Sequence, residues 1–355
     1  MNISKLNTRQ KRIIEFAETN KSFQVKDLLV YIKAEFDVER ITVVRDLSLL
    51  TNKLILNQKG KGRNTYYQIS NKYLLLKDYD VDKYFSVPHN QRDIQAFFNS
   101  EVLDLLDEDI FTHEEMTRLS KAQIKHNKMA ESLKKESPII FKKEWERLIV
   151  ELSWKSSEIE GNTYTLLETE SLIKDLTLAK DKDKADAQMI LNHKKVLDFI
   201  LLNPNYFKEI TVDKIKRVHS LLVEDIDIKT DFRNHPVGIT GSLYRPISKK
   251  EEIEKNINKL VKKTKEVDNQ ILKAFIFLIM TSYIQPFEDG NKRSSRIIAN
   301  AILHANNSPM ISYRDVDAIE YKKAILLFYE QNNISYIKQI FIEQFEFSVN
   351  NYFKV

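Results

Sequence analysis

The sequence predicts a mainly α-helical protein: three helices and a β-hairpin at the N-terminus, then an all-helical body interrupted by one short hairpin. Three observations predict it. The 355 residues include only six glycines, at 60, 62, 161, 238, 241 and 290, so glycine is kept where the backbone needs it. Apolar residues recur at helical spacing along most of the chain. The basic excess is local: residues 1–70 hold 13 Lys+Arg against 7 Asp+Glu, whereas the remaining 43 and 44 nearly cancel. A basic N-terminal segment on a neutral body points to a local polyanion-binding module.

Composition bounds the rest. Cysteine is absent, which excludes disulfides and thiolate metal sites and fits a reducing compartment. The start, Met1 to Arg9, has no apolar stretch of signal-peptide type, and the most apolar run, Ile271 to Met280, is too short to span a bilayer. A soluble cytoplasmic protein with no membrane partner is the expectation.

Ile13, Ile14, Phe16 and Ala17 outline a first amphipathic helix, and Val25, Leu28, Leu29 and Ile32 a second. A third runs from about Glu39, with Ile41, Val44, Leu47 and Leu50 repeating every three residues. Two strand-like runs follow, Leu54–Asn57 and Thr65–Ile69, around the basic turn Gln58-Lys-Gly-Lys-Gly-Arg-Asn64. This is the winged helix-turn-helix plan, in which the third helix enters the major groove and the wing meets phosphates. Thr42 and Arg45 on that helix, and Lys59, Lys61 and Arg63 in the wing, are the candidate contacts to duplex DNA. The string Ile41-Thr-Val-Val-Arg-Asp-Leu-Ser-Leu-Leu50 resembles the recognition helix of DeoR-type bacterial repressors. The competing use of such a module is protein contact.

Further on, Ile253, Ile257, Leu260 and Val261 mark a helix with a solvated Lys/Glu face. Then comes Gln285-Pro-Phe-Glu-Asp-Gly-Asn-Lys-Arg-Ser-Ser-Arg296, between a buried helix and a second helix. A loop ending at a helix N-terminus offers free N–H groups and a positive dipole end to an anion. Gly290 permits the tight turn, Lys292, Arg293 and Arg296 add cations, and Asp289 is a hard oxygen ligand beside them. Read from physics alone, these residues form a Mg-nucleotide phosphate cradle.

The same string resembles the signature of the Fic family, His-x-Phe-x-(Asp/Glu)-Gly-Asn-(Gly/Lys)-Arg-x-x-Arg, over residues 286–296. The resemblance implies an all-α Fic-type domain that binds ATP. Asp289 would hold Mg²⁺, Gly290, Asn291, Lys292 and Arg293 the α/β-phosphates with Ser294 and Ser295 in the same turn, and Arg296 the γ-phosphate. Tyr321 would line the adenine side. The departure is Gln285, which stands where the family has the His that deprotonates the target's hydroxyl. An amide has no useful proton affinity near pH 7, and general-base help contributes about 10²–10⁴-fold. His304, the nearest downstream histidine, is too far along the next helix to substitute, and His219 reads as a structural histidine.

Two further strings extend the resemblance. Ser156-Ser-Glu-Ile-Glu-Gly161 is similar to the family's inhibitory motif (Ser/Thr)-x-x-x-Glu-(Gly/Asn), which implies that Glu160 pairs with Arg296. Pro236 to Pro246 reads as a hairpin with a Thr240-Gly241 turn after Ile239, and it resembles the target-docking flap, which recruits a substrate segment by strand addition. The implied organisation is 1–70 winged helix, 71–175 helical region with the inhibitory motif, and 176–355 Fic core. Three functions stay open. One is a self-inhibited protein adenylyltransferase, acting on another protein or on itself and weakened by Gln285. The second is a nucleotide-responsive transcription regulator without transfer, and the third a phosphoryl-transferring toxin. The oligomeric state stays open too, a homodimer included.

Overall fold

The computed structural model describes residues 6–354; the first five residues of the start read as lacking a signal stretch, and Val355, lie outside the described residues. Contacts divide the chain into two compact units, Met1–Tyr79 with Gln331–Ser335, and Asp80–Glu330 with Tyr336–Val355.

The first unit contains the expected three helices and hairpin: α1 (Thr8–Thr19), α2 (Val25–Lys33), α3 (Arg40–Asn52), β1 (Leu56–Lys59), β2 (Tyr66–Ile69) and a short α4 (Asn71–Leu76). Asn7 and Gln10 cap α1 reciprocally, each side chain accepting the other's backbone N–H. Ile13, Ile14, Leu28, Ile32, Val43, Leu47 and Leu50 meet in one core. The strands pair antiparallel from Leu56 opposite Ile69 to Lys59 opposite Tyr66, and Phe23 adds a bridge to Tyr67.

The first strand starts two residues later than the sequence suggested. Helix α3 closes in a Schellman turn: Ile55 N–H bonds Leu50 C=O at 2.9 Å, Leu54 N–H bonds Thr51 C=O at 2.9 Å, and Leu54 sits at φ 58°. Leucine occupies a position usually given to glycine, so nothing in the sequence marked the stop. In the wing, Gly60 is obligatory, because a Cβ there would lie 2.2 Å from Asn64 O.

The second unit is helical throughout: α5 (Val81–Ser86), α6 (Val102–Leu105), α7 (His113–Glu136), α8 (Pro138–Glu158), α9 (Leu166–Asp175), α10 (Lys184–Leu202), α11 (Val212–Leu222), α12 (Lys250–Lys265), α13 (Gln270–Ile284), α14 (Asn291–Ala305), α15 (Ala318–Gln331) and α16 (Ser335–Asn351). Helices α13 and α14 are buried on nearly every side and pack on each other, with α8, α10 and α11 around α14. A helix apolar all round belongs at a domain centre. The loop 285–290 joining these two helices is therefore held by the most rigid part of the unit. Among the described residues no helix is long and apolar enough to cross a membrane.

The expected hairpin at 236–246 is only partly realised. The turn at Thr240-Gly241 forms, closed by Ser242 N–H to Ile239 C=O at 3.2 Å, but no ladder follows. Its backbone groups find other partners. Arg245 N–H bonds Ala96 C=O at 2.8 Å, and Arg92 Nη2 donates to Gly241 C=O at 2.7 Å.

Four histidines are packed inside this unit. Burial pushes His126, His219 and His304 down to about 4 and His193 to about 3. In the unfolded chain an imidazole takes its proton near pH 6.5, so as pH falls below that value the unfolded state gains protons that the folded state refuses. Stability is complete above about pH 6.5 and falls by about 1.4 kcal/mol per pH unit for each such histidine down to its folded value. Both tryptophans, Trp145 and Trp154, lie in this unit, so their fluorescence reports it. The urea midpoint by tryptophan fluorescence is expected to drop clearly from pH 7 to pH 5; a level midpoint contradicts neutral burial.

Candidate functional site

The loop after α13 is built by its own backbone. Gln285 leaves the helix at φ 52° and Gly290 turns the chain into α14 at φ 75°. Between them Asn291 acts as a splint: its Oδ1 accepts Phe287 N–H at 2.8 Å and its Nδ2 donates to Phe287 C=O at 2.8 Å. Arg233 clamps the loop from outside, donating from Nε to Gln285 C=O at 2.7 Å, while its N–H bonds Pro286 C=O at 3.0 Å. The ring of His219 lies flat on Phe287 at 3.6 Å, and its Nε2 is 3.1 Å from Asp289 C=O. A carbonyl only accepts, so Nε2 carries the proton. His219 is a structural histidine, as read from the sequence.

A polar cavity opens on this loop, lined by Gln285, Glu288–Arg293, the flap residues Val237–Thr240 and Glu160. The first intrahelical bond of α14 is Ser294 N–H to Gly290 C=O, so the N–H groups of the first turn are unspent by the helix. Arg293 is buried, donates from Nη2 to Asp289 Oδ2 at 2.9 Å, and has no partner for its buried Nη1. A buried cationic donor without an acceptor, on the wall of a polar cavity at a helix N-terminus, fits an anionic ligand. Among the described residues no three His, Asp or Glu side chains converge on a metal site. Asp289 is a single, largely exposed carboxylate, the donor set of an ion that draws its remaining ligands from phosphate and water.

Glu160 closes the cavity from the opposite side. Helix α8 ends in a second Schellman turn, with Asn162 N–H on Ser157 C=O at 3.1 Å, Gly161 N–H on Glu158 C=O at 2.9 Å, and Gly161 at φ 99°. Ser156 and Glu160 are four residues apart, so they share one face. Both meet Arg296, which is fully buried. Its Nε donates to Ser156 Oγ at 3.0 Å and its Nη2 to Ser156 C=O at 2.8 Å. Glu160 Oε1 stands 2.9 Å from Nη2, an ion pair off the hydrogen-bond direction, and Oε2 lies 3.5 Å from Lys292 Nζ. Burial alone would push the Glu160 carboxyl up; the charges of Arg296, Lys292 and Arg293 outweigh it and hold the group below the usual carboxylate range.

Several sequence-assigned residues stand elsewhere. Tyr321 lies under the guanidinium of Arg296, 5.4 Å from ring centre to Cζ, inside the core and away from the cavity wall. The Asn291 amide is spent on the loop backbone, and Ser295 Oγ turns back to Lys292 C=O at 2.8 Å. Ser294 is buried with an unpartnered hydroxyl. His304 sits 13 residues along α14 from Asn291, about 20 Å at the helix rise, packed edge-on to Trp145. Gln285 Nε2 donates to Ser282 C=O at 2.6 Å and to Tyr329 Oη at 3.2 Å, which fixes the amide. Gly290, Lys292, Arg293, Asp289, Ile239 and Thr240 line the cavity, and Gly241 forms the flap tip beside it. Arg233 and His193 escaped the sequence reading. Arg233 reaches the loop from a position 52 residues earlier, and a lone histidine in a helix carries no signal.

Residues 209–303 match the Fic/DOC family. That segment is similar to Fic domains. A curated relative from Nematostella vectensis named protein adenylyltransferase Fic is 28% identical over 182 residues, 47% of this chain and 40% of the relative; the chain thus matches about two fifths of that protein's length. The solved structure of a Fic domain-containing signaling protein from Bacteroides thetaiotaomicron is similar with a TM-score of 0.54 at 22% identity, over 64% of this chain and 94% of that one. Fic-1 from C. elegans gives a TM-score of 0.53 at 15% identity over 98% of both chains. At these identities the two structures speak for a shared fold. The matched segment takes in the flap, the loop and most of α14; Glu160 lies upstream of it.

Gly290 tests the loop. With φ 75°, an L-residue there is strained by about 1–2 kcal/mol even though the nearest side-chain atoms are 3.6 Å from its would-be Cβ. Gly290→Ala is expected to lower the urea midpoint of the tryptophan transition accordingly. A midpoint unchanged from the parent would mean the left-handed turn is not required.

Proposed function

We propose that this chain is a self-inhibited protein adenylyltransferase, moving AMP from ATP to the hydroxyl of a Ser, Thr or Tyr in another protein or in itself. The observation that carries the reading is Glu160 held on Arg296 and Lys292 at the head of an anion cradle. A carboxylate and a phosphate compete for the same guanidinium, so a ligand phosphate at Arg296 must displace Glu160. The Fic domain and the curated relative named as an adenylyltransferase support the same activity. Gly290 and its neighbouring backbone, Lys292 and Arg293 would take the α/β-phosphates, Arg296 the γ-phosphate, and Asp289 a Mg²⁺. In the unladdered flap the carbonyls of Ile239 and Gly241 are already taken by Ser242 and Arg92, so a target segment would pair with the remaining backbone groups or displace these bonds.

Transfer also needs a proton acceptor, and Gln285 is not one. Its amide is bound to Ser282 and Tyr329 and holds the loop without accepting a proton. Inhibition and base therefore fail together: Glu160→Gly alone leaves the base missing, and Gln285→His alone leaves Arg296 engaged. The double variant is expected to incorporate far more labelled AMP than the two single changes predict together, because phosphate placement and hydroxyl deprotonation serve one transition state. Strong labelling by Glu160→Gly alone would sink the assignment of the missing base.

A second reading is favoured by the first unit: a nucleotide-responsive regulator that reads DNA with a winged-helix arrangement. Arg40 and Arg45 on α3, and Lys59, Lys61 and Arg63 in the wing, are solvent-facing, and none makes an ion pair or side-chain hydrogen bond among the described residues. Unpaired cations on a helix and an adjacent wing suit a phosphate backbone. Thr42, assigned to the same contact, is half-buried on α3. Full-length chain is expected to bind duplex DNA with an affinity that falls steeply with salt, and Lys61→Ala to reduce the log–log slope by about 1. Binding that is flat in salt would assign the module to protein contacts.

A further inference from the structure

Two turns of buried polar chemistry lie behind the Glu160–Arg296 pair. Ser153, Ser156 and Ser157 all face inward from the last two turns of α8. A buried hydroxyl without partners is costly, so its hydrogen bonds determine whether this helix end stays in place. Ser156 Oγ has two partners. Arg296 Nε donates to it at 3.0 Å, and His193 Nε2 stands 3.0 Å away on α10. The other ring nitrogen, His193 Nδ1, lies 2.9 Å from Met189 C=O, one turn earlier on the same helix, and 3.4 Å from Ser157 Oγ.

These contacts fix every proton. A carbonyl accepts only, so Nδ1 carries the hydrogen and Nε2 a lone pair. An Arg Nε only donates, so the Ser156 hydroxyl hydrogen cannot point at Arg296 and must point at His193. The lone pairs left on Ser156 Oγ then face the guanidinium. The result is a one-way relay, Arg296 to Ser156 to His193 to Met189, with all three side chains buried. Its direction depends on a neutral imidazole in one tautomer; a second donor at Nε2 would take the hydroxyl's other lone pair and leave the Ser156 hydrogen without its acceptor on His193.

We propose that His193 is the positioning residue of the inhibitory contact: by accepting the Ser156 hydroxyl it holds the end of α8 in the register that delivers Glu160 to Arg296. The proposal deepens the self-inhibited reading above and rests on it. Burial, with the nearby charge of Arg293, keeps the ring neutral at ordinary pH, as the relay requires. Nothing about the Fic-matched segment demands this histidine, since His193 and Ser156 both lie before residue 209.

The test uses the full chain with His193→Phe, which keeps a ring and removes both nitrogens, and His193→Gln, whose side-chain oxygen can reach the Nε2 position. Amide exchange over residues 156–162 needs no nucleotide; calorimetric Mg-ATP affinity reads Arg296 directly. His193→Phe is expected to speed exchange in that segment roughly tenfold, the worth of one hydrogen bond, and to raise Mg-ATP affinity toward that of Glu160→Gly. His193→Gln should return both toward the parent, and His193→Phe should add nothing in a Glu160→Gly background. Parent-like exchange and affinity in His193→Phe overturn the proposal, as does an affinity gain that persists without Glu160. If His193→Phe does not fold, Ser156→Ala reads the same relay from its other member, and unchanged exchange there overturns it as well. If neither parent nor Glu160→Gly binds Mg-ATP, the adenylyltransferase reading fails, while exchange alone still decides whether His193 holds the helix end.

Discussion

The buried guanidinium of Arg296 is the constraint around which this site is arranged. It lies on α14, one of the two central helices, with no exposed surface, so its charge must be met from inside. Ser156 meets it with a hydroxyl and a carbonyl, Glu160 with a carboxylate, and Tyr321 with a ring face. Burial pulls the guanidinium's proton affinity down, and the charge of Glu160 more than restores it. Breaking such a pair by removing one partner commonly costs about 3–5 kcal/mol, because the other charge is stranded. Glu160 is thus a structural residue of this core. Any anion that replaces it must supply comparable compensation, and a phosphate can.

Much of this was legible in the sequence where the determinants are local. Gly290 and Gly161 mark left-handed turns, the cations of 292–296 mark a helix start, and the four-residue spacing of Ser156 and Glu160 puts both on one face. The three N-terminal helices follow from apolar spacing alone. What escaped has a common cause. His193 meets Ser156 across 37 positions, Arg233 meets Gln285 across 52, and Arg92 meets the flap across 149. No window of sequence holds those pairs. Leu54 and the flap show the other kind of miss. A leucine accepted the left-handed cap where glycine would have announced it, and the flap's backbone groups went to Arg92 and Ala96 instead of to each other.

Gln285 shows how a loop keeps its backbone path around a residue whose side chain does not titrate. The residue adopts φ 52°, a conformation that costs a side-chain-bearing residue something, and the surrounding bonds hold it there: Arg233 on its carbonyl, Ser282 and Tyr329 on its amide. The loop therefore keeps the backbone path that shapes the anion cradle. Proton abstraction needs an acceptor with affinity near neutral pH. Among the described residues two histidines stand against this loop: His219 is spent on Phe287 and Asp289 with its ring pushed acid-ward by burial, and His235 lies half-exposed 4.0 Å from Glu288. Anion binding and group transfer are in this way separable within one loop.

The two internal ion pairs of the cradle are unequal, and that inequality ranks them as barriers to a ligand. Asp289 pairs with Arg293 through a carboxylate that is two-thirds exposed, so water already solvates it and exchange for a metal or a phosphate oxygen costs little. Glu160 pairs with Arg296 where the guanidinium has no exposure and the carboxylate only 17%, and Lys292 shares the same carboxylate. Removing Glu160 from that position means breaking two charge contacts and undoing the Schellman turn that carries it. A ligand oxygen at Arg293 thus displaces a solvated carboxylate, whereas one at Arg296 must displace a buried carboxylate held by two cations. On the proposed reading, the γ-phosphate end of a nucleotide is the part the resting site resists most.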